Sequence, residues 1–127
     1  MAKATGIGGL FFRSRDKAAL AQWYETHLGV PGFWEQQTGF TVFAPFSADS
    51  DYFPADKQFM VNFRVDDLDT LMANLQVAGI AVETSYRAAP IVAEIRPDEW
   101  DTPETGRFAR IHDPEGNAIE LWQPPSG

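Results

Sequence analysis

The chain has 127 residues, enough for one domain with a real core and too few for two ordinary ones. Its hydrophobic content of 44% and charged content of 22% are typical of a globular protein. The net charge of −8 leaves no basic field to attract nucleic acid or anionic lipid, and the absence of cysteine excludes disulfides, thiolate metal sites and thiol nucleophiles. No signal-like segment or long apolar run is present, so we expect a cytoplasmic protein with no membrane partner.

Two stretches of the chain repeat one pattern. Residues 9–24 and residues 60–75 each combine a short alternating strand pattern with apolar positions at helical spacing, and Arg13 of the first stretch corresponds to Arg64 of the second. The sequence is therefore built from two related halves.

Each half carries start and stop signals for one helix. Asp16 and Asp67 stand where a carboxylate accepts hydrogen bonds from the first turn of a helix. Gly29 and Gly79 are typical of helix C-termini.

The strand-like segments that follow complete the predicted architecture. They read GFWEQQ and FTVFAPF in the first half, and AVETSYR, GRFARIHD and AIELWQ in the second. The prediction is a single α+β domain, 1–127, made of two βαβββ modules. The modules span approximately 6–46 and 59–123, with a polar linker at 47–58 and an irregular loop at 88–106.

Three segments together resemble the vicinal oxygen chelate superfamily, which includes glyoxalase I, extradiol dioxygenases and bleomycin-resistance proteins. They read RSRDKAALAQWYETHLGV, NFRVDDLDTLMANLQVAGI and GRFARIHDPEGNAIELWQ. The resemblance runs from about Gly6 to Gln123, and the DPEGNAIELW hairpin is its most specific part. It implies a pseudo-twofold arrangement of the two modules, whose mixed sheet forms a cup around a small-molecule site with the helices outside. It also implies a homodimer.

The resemblance implies metal ligands on the first strand of each module and on the late strands. Glu120 matches one late-strand ligand, but the two first-strand positions hold Gly9 and Met60. Glycine has no ligand atom, and a thioether is a poor partner for the ions that this superfamily uses. The two histidines, His27 and His112, lie at a helix end and beside a turn. We therefore predict no metal site and no cofactor, with a divalent metal disfavoured but possible.

Strand alternation predicts which side chains line the cup. The predicted ligand-binding residues are Phe11, Arg13, Asn62, Arg64, Arg110, Glu120 and Trp122. A hairpin turning at 113–117 would place Arg110 opposite Glu120 and His112 opposite Ala118. Aromatic candidates for stacking on a flat ligand are Trp34, Phe43, Phe46 and Trp100, with core packing as the alternative.

The predicted function is a glyoxalase/bleomycin-resistance-like protein that binds a small, anionic and partly apolar molecule without metal. Arg13 and Arg64 would together hold the anion. One alternative is an enzyme of the superfamily, of lyase, isomerase or dioxygenase type, with Glu120 catalytic as metal ligand or general base. Two further readings stay open: a purely structural pair between Arg110 and Glu120, and a subunit that serves only protein association.

Overall fold

The structure, a computed structural model, describes residues 2–84 and 106–125. Within these ranges it contains α1 (Lys17–Leu28), β1 (Val61–Arg64), α2 (Leu68–Val77), β2 (Arg107–His112) and β3 (Ala118–Gln123). These elements confirm the predicted α+β class. None of the helices in the described ranges is long and apolar enough to cross a membrane. Nearly all of the predicted loop at 88–106 lies outside the described residues.

Both helices begin at the predicted aspartates. The Asp16 carboxylate accepts a hydrogen bond from the Ala19 N–H at 3.1 Å, and Asp67 accepts one from the Thr70 N–H at 3.1 Å. These contacts satisfy N–H groups that have no partner inside the helix. Gly29 ends α1 with a φ of 69°, a left-handed conformation that glycine adopts at little cost. The helix boundaries at these three residues are confirmed.

The sheet is mixed and has β3 at its centre. Strand β1 pairs with β3 in parallel, and β2 pairs with β3 in antiparallel register. Arg110 lies opposite Glu120 and His112 lies opposite Ala118, so the predicted hairpin register is confirmed. On the outer side of β2, Glu83 exchanges two backbone hydrogen bonds of 2.8 Å with Arg110.

One face of this sheet packs against the two helices. The buried core joins side chains from α1, α2, β2 and β3, namely Leu20, Tyr24, Leu68, Leu75, Ala109, Ile111, Ile119 and Leu121. Because successive side chains of a strand point to opposite faces, the residues between these strand positions lie on the face away from the helices. That second face is called the cup face below; its residues are Asn62, Arg64, Phe108, Arg110, Glu120 and Trp122.

The turn between β2 and β3 attaches α1 to the sheet. The Tyr24 hydroxyl donates to the buried carboxylate of Asp113 at 2.7 Å. Burial, followed by the hydrogen bond to Asp113, raises the pKa of Tyr24 far above its usual range, so the hydroxyl remains a donor. Next to this contact, Glu115 accepts from the Ser14 hydroxyl at 2.6 Å and from the Arg15 N–H at 3.0 Å, just before α1 begins. The turn therefore holds the start and the middle of α1.

The first half departs from the prediction. Residues 9–13, 32–37 and 40–46 form no strand in the described structure, and the side chains of Phe11 and Phe43 are 89% and 87% exposed. An alternating pattern becomes a strand only when a neighbouring strand takes up its backbone hydrogen bonds. The described sheet ends at β1, and these segments do not pair with it. The two-module, pseudo-twofold arrangement is therefore not confirmed.

The Tyr24–Asp113 contact predicts a measurable loss of stability in the Tyr24→Phe variant. This change keeps the ring and leaves Asp113 with one donor fewer. We expect the free energy of unfolding in urea to fall by about 1.5–3 kcal/mol, the range for hydrogen bonds to charged groups. An unchanged slope against urea would show that the unfolded state is the same. A loss below about 0.5 kcal/mol would contradict the role given to this contact.

Glu115 predicts a pH dependence. The hydrogen bond from Ser14, and then that from the Arg15 backbone, lowers the pKa of Glu115 from its ordinary value of 4.5. A lowered pKa in the folded state stabilises the protein above pH 4.5, and this contribution is lost as the pH falls through the folded pKa. Glu115→Gln should therefore be less stable than the parent protein at neutral pH, and the difference should close in acid. Glu35→Gln, the same change at an exposed site, is the control; a difference for Glu115→Gln that does not vary with pH would contradict the prediction.

Candidate functional site

Three polar side chains form a row across the cup face. The register aligns Asn62 of β1, Glu120 of β3 and Arg110 of β2, and this set is called the polar row. Glu120 is only 1% exposed and Arg110 only 8% exposed, whereas Asn62 lies at the exposed edge of the sheet. Charged side chains are seldom buried unless they have partners, so the contacts of this row define the site.

Both carboxylate oxygens of Glu120 accept hydrogen bonds. The Tyr52 hydroxyl donates to Oε2 at 2.5 Å, and the Asn62 amide donates to Oε1 at 2.7 Å. These two donors come from the linker and from β1, so Glu120 connects three parts of the chain. Such hydrogen bonds repay part of the cost of burying a carboxylate.

Arg110, on β2, contacts both the backbone and the ring of Tyr52. Its Nη1 donates to the Tyr52 carbonyl at 2.9 Å, its Nη2 lies 3.5 Å from the Met60 sulfur, and its guanidinium carbon lies 4.8 Å from the centre of the Tyr52 ring. The last contact is a cation–π interaction. The backbone N–H and carbonyl of Arg110 both bond to Glu83, so they point away from β3. Arg110 and Glu120 therefore form a non-hydrogen-bonded antiparallel pair, the type in which the two side chains lie closer together.

A second row on the cup face is largely aromatic. Arg64, Trp122 and Phe108 are aligned across the three strands, and the Trp122 and Phe108 rings stack with centroids 6.2 Å apart and an angle of 9°. The Arg64 Nη2 donates to the Gln37 carbonyl at 3.0 Å. A Cβ atom at Gly39 would collide with the Arg64 guanidinium, so the glycine leaves the room that this arginine occupies.

The structure brings together five of the seven predicted cup residues. They are Asn62, Arg64, Arg110, Glu120 and Trp122. Phe11 and Arg13 are exposed and lie outside any strand, so the structure does not place them on the cup face, and the predicted pairing of Arg13 with Arg64 is not seen. The prediction for these two residues assumed a strand at residues 9–13, and the described structure has no strand there.

Tyr52 is the residue that the sequence prediction missed. It falls in the segment assigned to the linker, yet it is only 6% exposed. Phe46, one of the aromatic candidates, lies 5.6 Å from the Tyr52 ring, whereas Trp34 lies 6.0 Å from Phe63 and Phe43 is exposed. Trp100 is outside the described residues. The available signal was the pair of aromatic residues Tyr52 and Phe53 in an otherwise largely polar linker.

Two solved structures from Streptomyces sp. CB03234 are similar to this chain. TnmS3, an antibiotic binding protein, is 28% identical to it over 86% of this chain and 87% of its own, with a TM-score of 0.50. This similarity supports the predicted resemblance to the vicinal oxygen chelate superfamily. A glyoxalase/bleomycin resistance protein is 35% identical over 50% of this chain, which spans only 42% of that protein, with a TM-score of 0.35. No family model and no curated sequence matches the chain.

The residues around Glu120 do not fit the metal that many members of this superfamily use. Tyr52 and Asn62 direct their donor hydrogens at the two carboxylate oxygens, and the Met60 sulfur faces the cationic Arg110. A cation beside the site opposes a divalent ion. Across residues 2–84 and 106–125, no three His, Cys, Asp or Glu side chains lie close enough together to hold a metal.

Titration with Zn²⁺ and Mn²⁺ tests whether Glu120 can bind a divalent metal. Because hydrogen-bond donors and a guanidinium surround Glu120, calorimetry should detect no binding event that Glu120→Gln removes. Asp69→Asn, at a surface acid that is paired with Arg107, is the control for loss of one negative charge. Saturable binding of either ion that Glu120→Gln abolishes and Asp69→Asn preserves would contradict the prediction.

Proposed function

We propose that this protein binds a small, partly apolar organic anion on its cup face without a metal. The observation that carries the proposal is the polar row. A buried carboxylate and a buried guanidinium are expensive to desolvate, and apolar side chains of similar volume often stabilise a protein as well or better. A sheet face that served only stability would therefore favour apolar residues at Arg110 and Glu120.

The similarity to TnmS3 supports a binding role. That protein has the same fold over most of its length and is an antibiotic binding protein. Since one fold can host unrelated functions, the argument for this chain rests on its own side chains. The fold similarity adds that a protein of this fold binds an antibiotic.

The two rows of the cup face would contact different chemical groups of one ligand. Glu120 accepts hydrogen bonds, so it favours a hydroxyl or N–H group of the ligand. The partly exposed Trp122 ring, which stacks on the buried Phe108 ring, offers a flat apolar surface. Arg64, at the end of β1, presents the charge that an anionic group of the ligand would meet.

Binding is favoured over general-base catalysis by the state of Glu120. Both of its oxygens accept hydrogen bonds within the protein, and a ligand hydroxyl can take the place of one donor without any proton transfer, whereas a general base must remove a proton from the substrate. A catalytic role for Glu120 stays a prediction. So do the division into one domain of two modules, the homodimer and the cytoplasmic location.

The role of Arg64 can be tested with a matched arginine on the other face of the same sheet. Arg107 lies on the helix side and pairs with Asp69 at 2.8 Å. Carboxylate-bearing molecules that raise the melting temperature of the parent protein should be measured by calorimetry against Arg64→Gln and Arg107→Gln. Arg64→Gln should weaken binding about 10- to 100-fold, because a charge-assisted hydrogen bond is lost, and Arg107→Gln should leave it within about twofold.

Two results would contradict the proposal. One is equal weakening in the two variants, which would mean that net charge, and not the cup face, attracts the anion. The other is the absence of any stabilising ligand across a broad metabolite screen, because even modest binders raise the melting temperature when their concentration exceeds the dissociation constant.

A further inference from the structure

Tyr52 occupies the cup face in the way a bound molecule would. Each of its groups has a partner: the hydroxyl donates to Glu120, the ring lies against Arg110 and Phe46, and the backbone carbonyl accepts from Arg110. The side chain is 6% exposed although it comes from a segment with no helix or strand. Tyr52 thus has specific polar and aromatic contacts at both of its ends.

These contacts lie apart from the hydrophobic core. Tyr52 is not a member of the cluster of buried residues between the sheet and the helices. Its partners lie on the opposite face of the sheet, where they project from β2 and β3. Tyr52 therefore fills a separate site whose walls include charged groups.

The backbone around Tyr52 belongs to no helix or strand of the described structure. The hydrogen bonds on either side close local turns: Ser50 N–H donates to the Ser47 carbonyl at 2.9 Å, and Lys57 N–H donates to the Pro54 carbonyl at 3.0 Å. Withdrawal of Tyr52 would cost its contacts with the polar row and leave the strand ladder intact.

We propose that Tyr52 is an internal ligand, and that its site takes an aromatic molecule bearing a phenolic hydroxyl. This inference rests on the proposed function and narrows it to one ligand class. A phenol would donate to Glu120, place its ring against Arg110 and Phe46, and offer an adjacent acceptor oxygen to the Arg110 guanidinium. Binding of such a ligand requires Tyr52 to leave, so the apparent affinity is reduced by the small fraction of molecules in which Tyr52 has left.

The Tyr52→Ala variant with phenol as the probe tests this directly. Truncation at Cβ leaves a space of the shape of phenol beside Glu120. Calorimetry should show phenol binding to Tyr52→Ala at least about tenfold more tightly than to the parent protein, because no competing side chain remains. Benzene, which lacks the hydroxyl, should bind Tyr52→Ala about tenfold more weakly than phenol does.

Tyr52→Phe provides a second variant that keeps the packing of the ring. Loss of the hydroxyl bond to Glu120 should release the ring more often, so phenol should bind this variant more tightly than the parent protein and less tightly than Tyr52→Ala. This order can be measured even if Tyr52→Ala does not fold. Equal phenol affinity of the parent protein and Tyr52→Phe would overturn the inference, as would equal affinity of Tyr52→Ala for phenol and benzene.

The failure of this inference and the failure of the proposed function give different results. A ligand that binds the parent protein through Arg64, with an affinity that neither Tyr52 variant raises, would overturn the internal-ligand role and leave the proposed function standing. Phenol binding to Tyr52→Ala, without any ligand for the parent protein, would support the site that Tyr52 fills and count against the proposed function.

Discussion

The turn between β2 and β3 fixes the register on which the rest of the structure depends. The Asp113 carboxylate closes this turn by accepting hydrogen bonds from the backbone and the side chain of Asn117. It also accepts a hydrogen bond from the Tyr24 hydroxyl of α1. One carboxylate therefore sets the hairpin and anchors the helix. A slip of one residue would turn every strand side chain to the opposite face, sending Glu120 towards the helices and separating it from Arg110. The alignment of Arg110 with Glu120 therefore depends on the register that this turn sets.

That register creates a conflict between stability and function on the cup face. It buries Arg110 and Glu120 side by side, where apolar residues would be less expensive to desolvate. The hydrogen bonds from Tyr52 and Asn62 reduce this cost, and they keep the carboxylate in place. Charges held in this way need little reorganisation when a ligand replaces one of their partners, which is how preorganisation increases affinity.

Local signals in the sequence predicted much of the fold. Asp16, Asp67 and Gly29 mark helix ends through contacts within a few residues, and the 113–117 turn sets the hairpin, so both predictions are confirmed. Alternation on β1, β2 and β3 also predicts that Asn62, Arg110 and Glu120 are aligned on one face of the sheet, as the register shows. The strands predicted in the first half depended on partner strands far along the chain, which local patterns do not specify.

The missed contact at the site has the same explanation. Tyr52 and Glu120 are 68 positions apart, and the segment that carries Tyr52 has no periodic pattern. Its burial follows from the polar row that it meets, which forms only when β1, β2 and β3 are assembled. The family motif located Glu120, but the residues that contact it and Tyr52 came from the linker and from β1 and β2.

The most direct test is the free energy of unfolding of a triple variant, Tyr52→Phe, Arg110→Met and Glu120→Leu. It replaces the two charges and the buried hydroxyl together, and Asn62, their partner on β1, lies at the exposed edge where water can reach it. If these groups are kept for binding, the variant should be as stable as the parent protein or more stable. A loss of about 3–5 kcal/mol would contradict the account, because it would show that the polar row holds the sheet together.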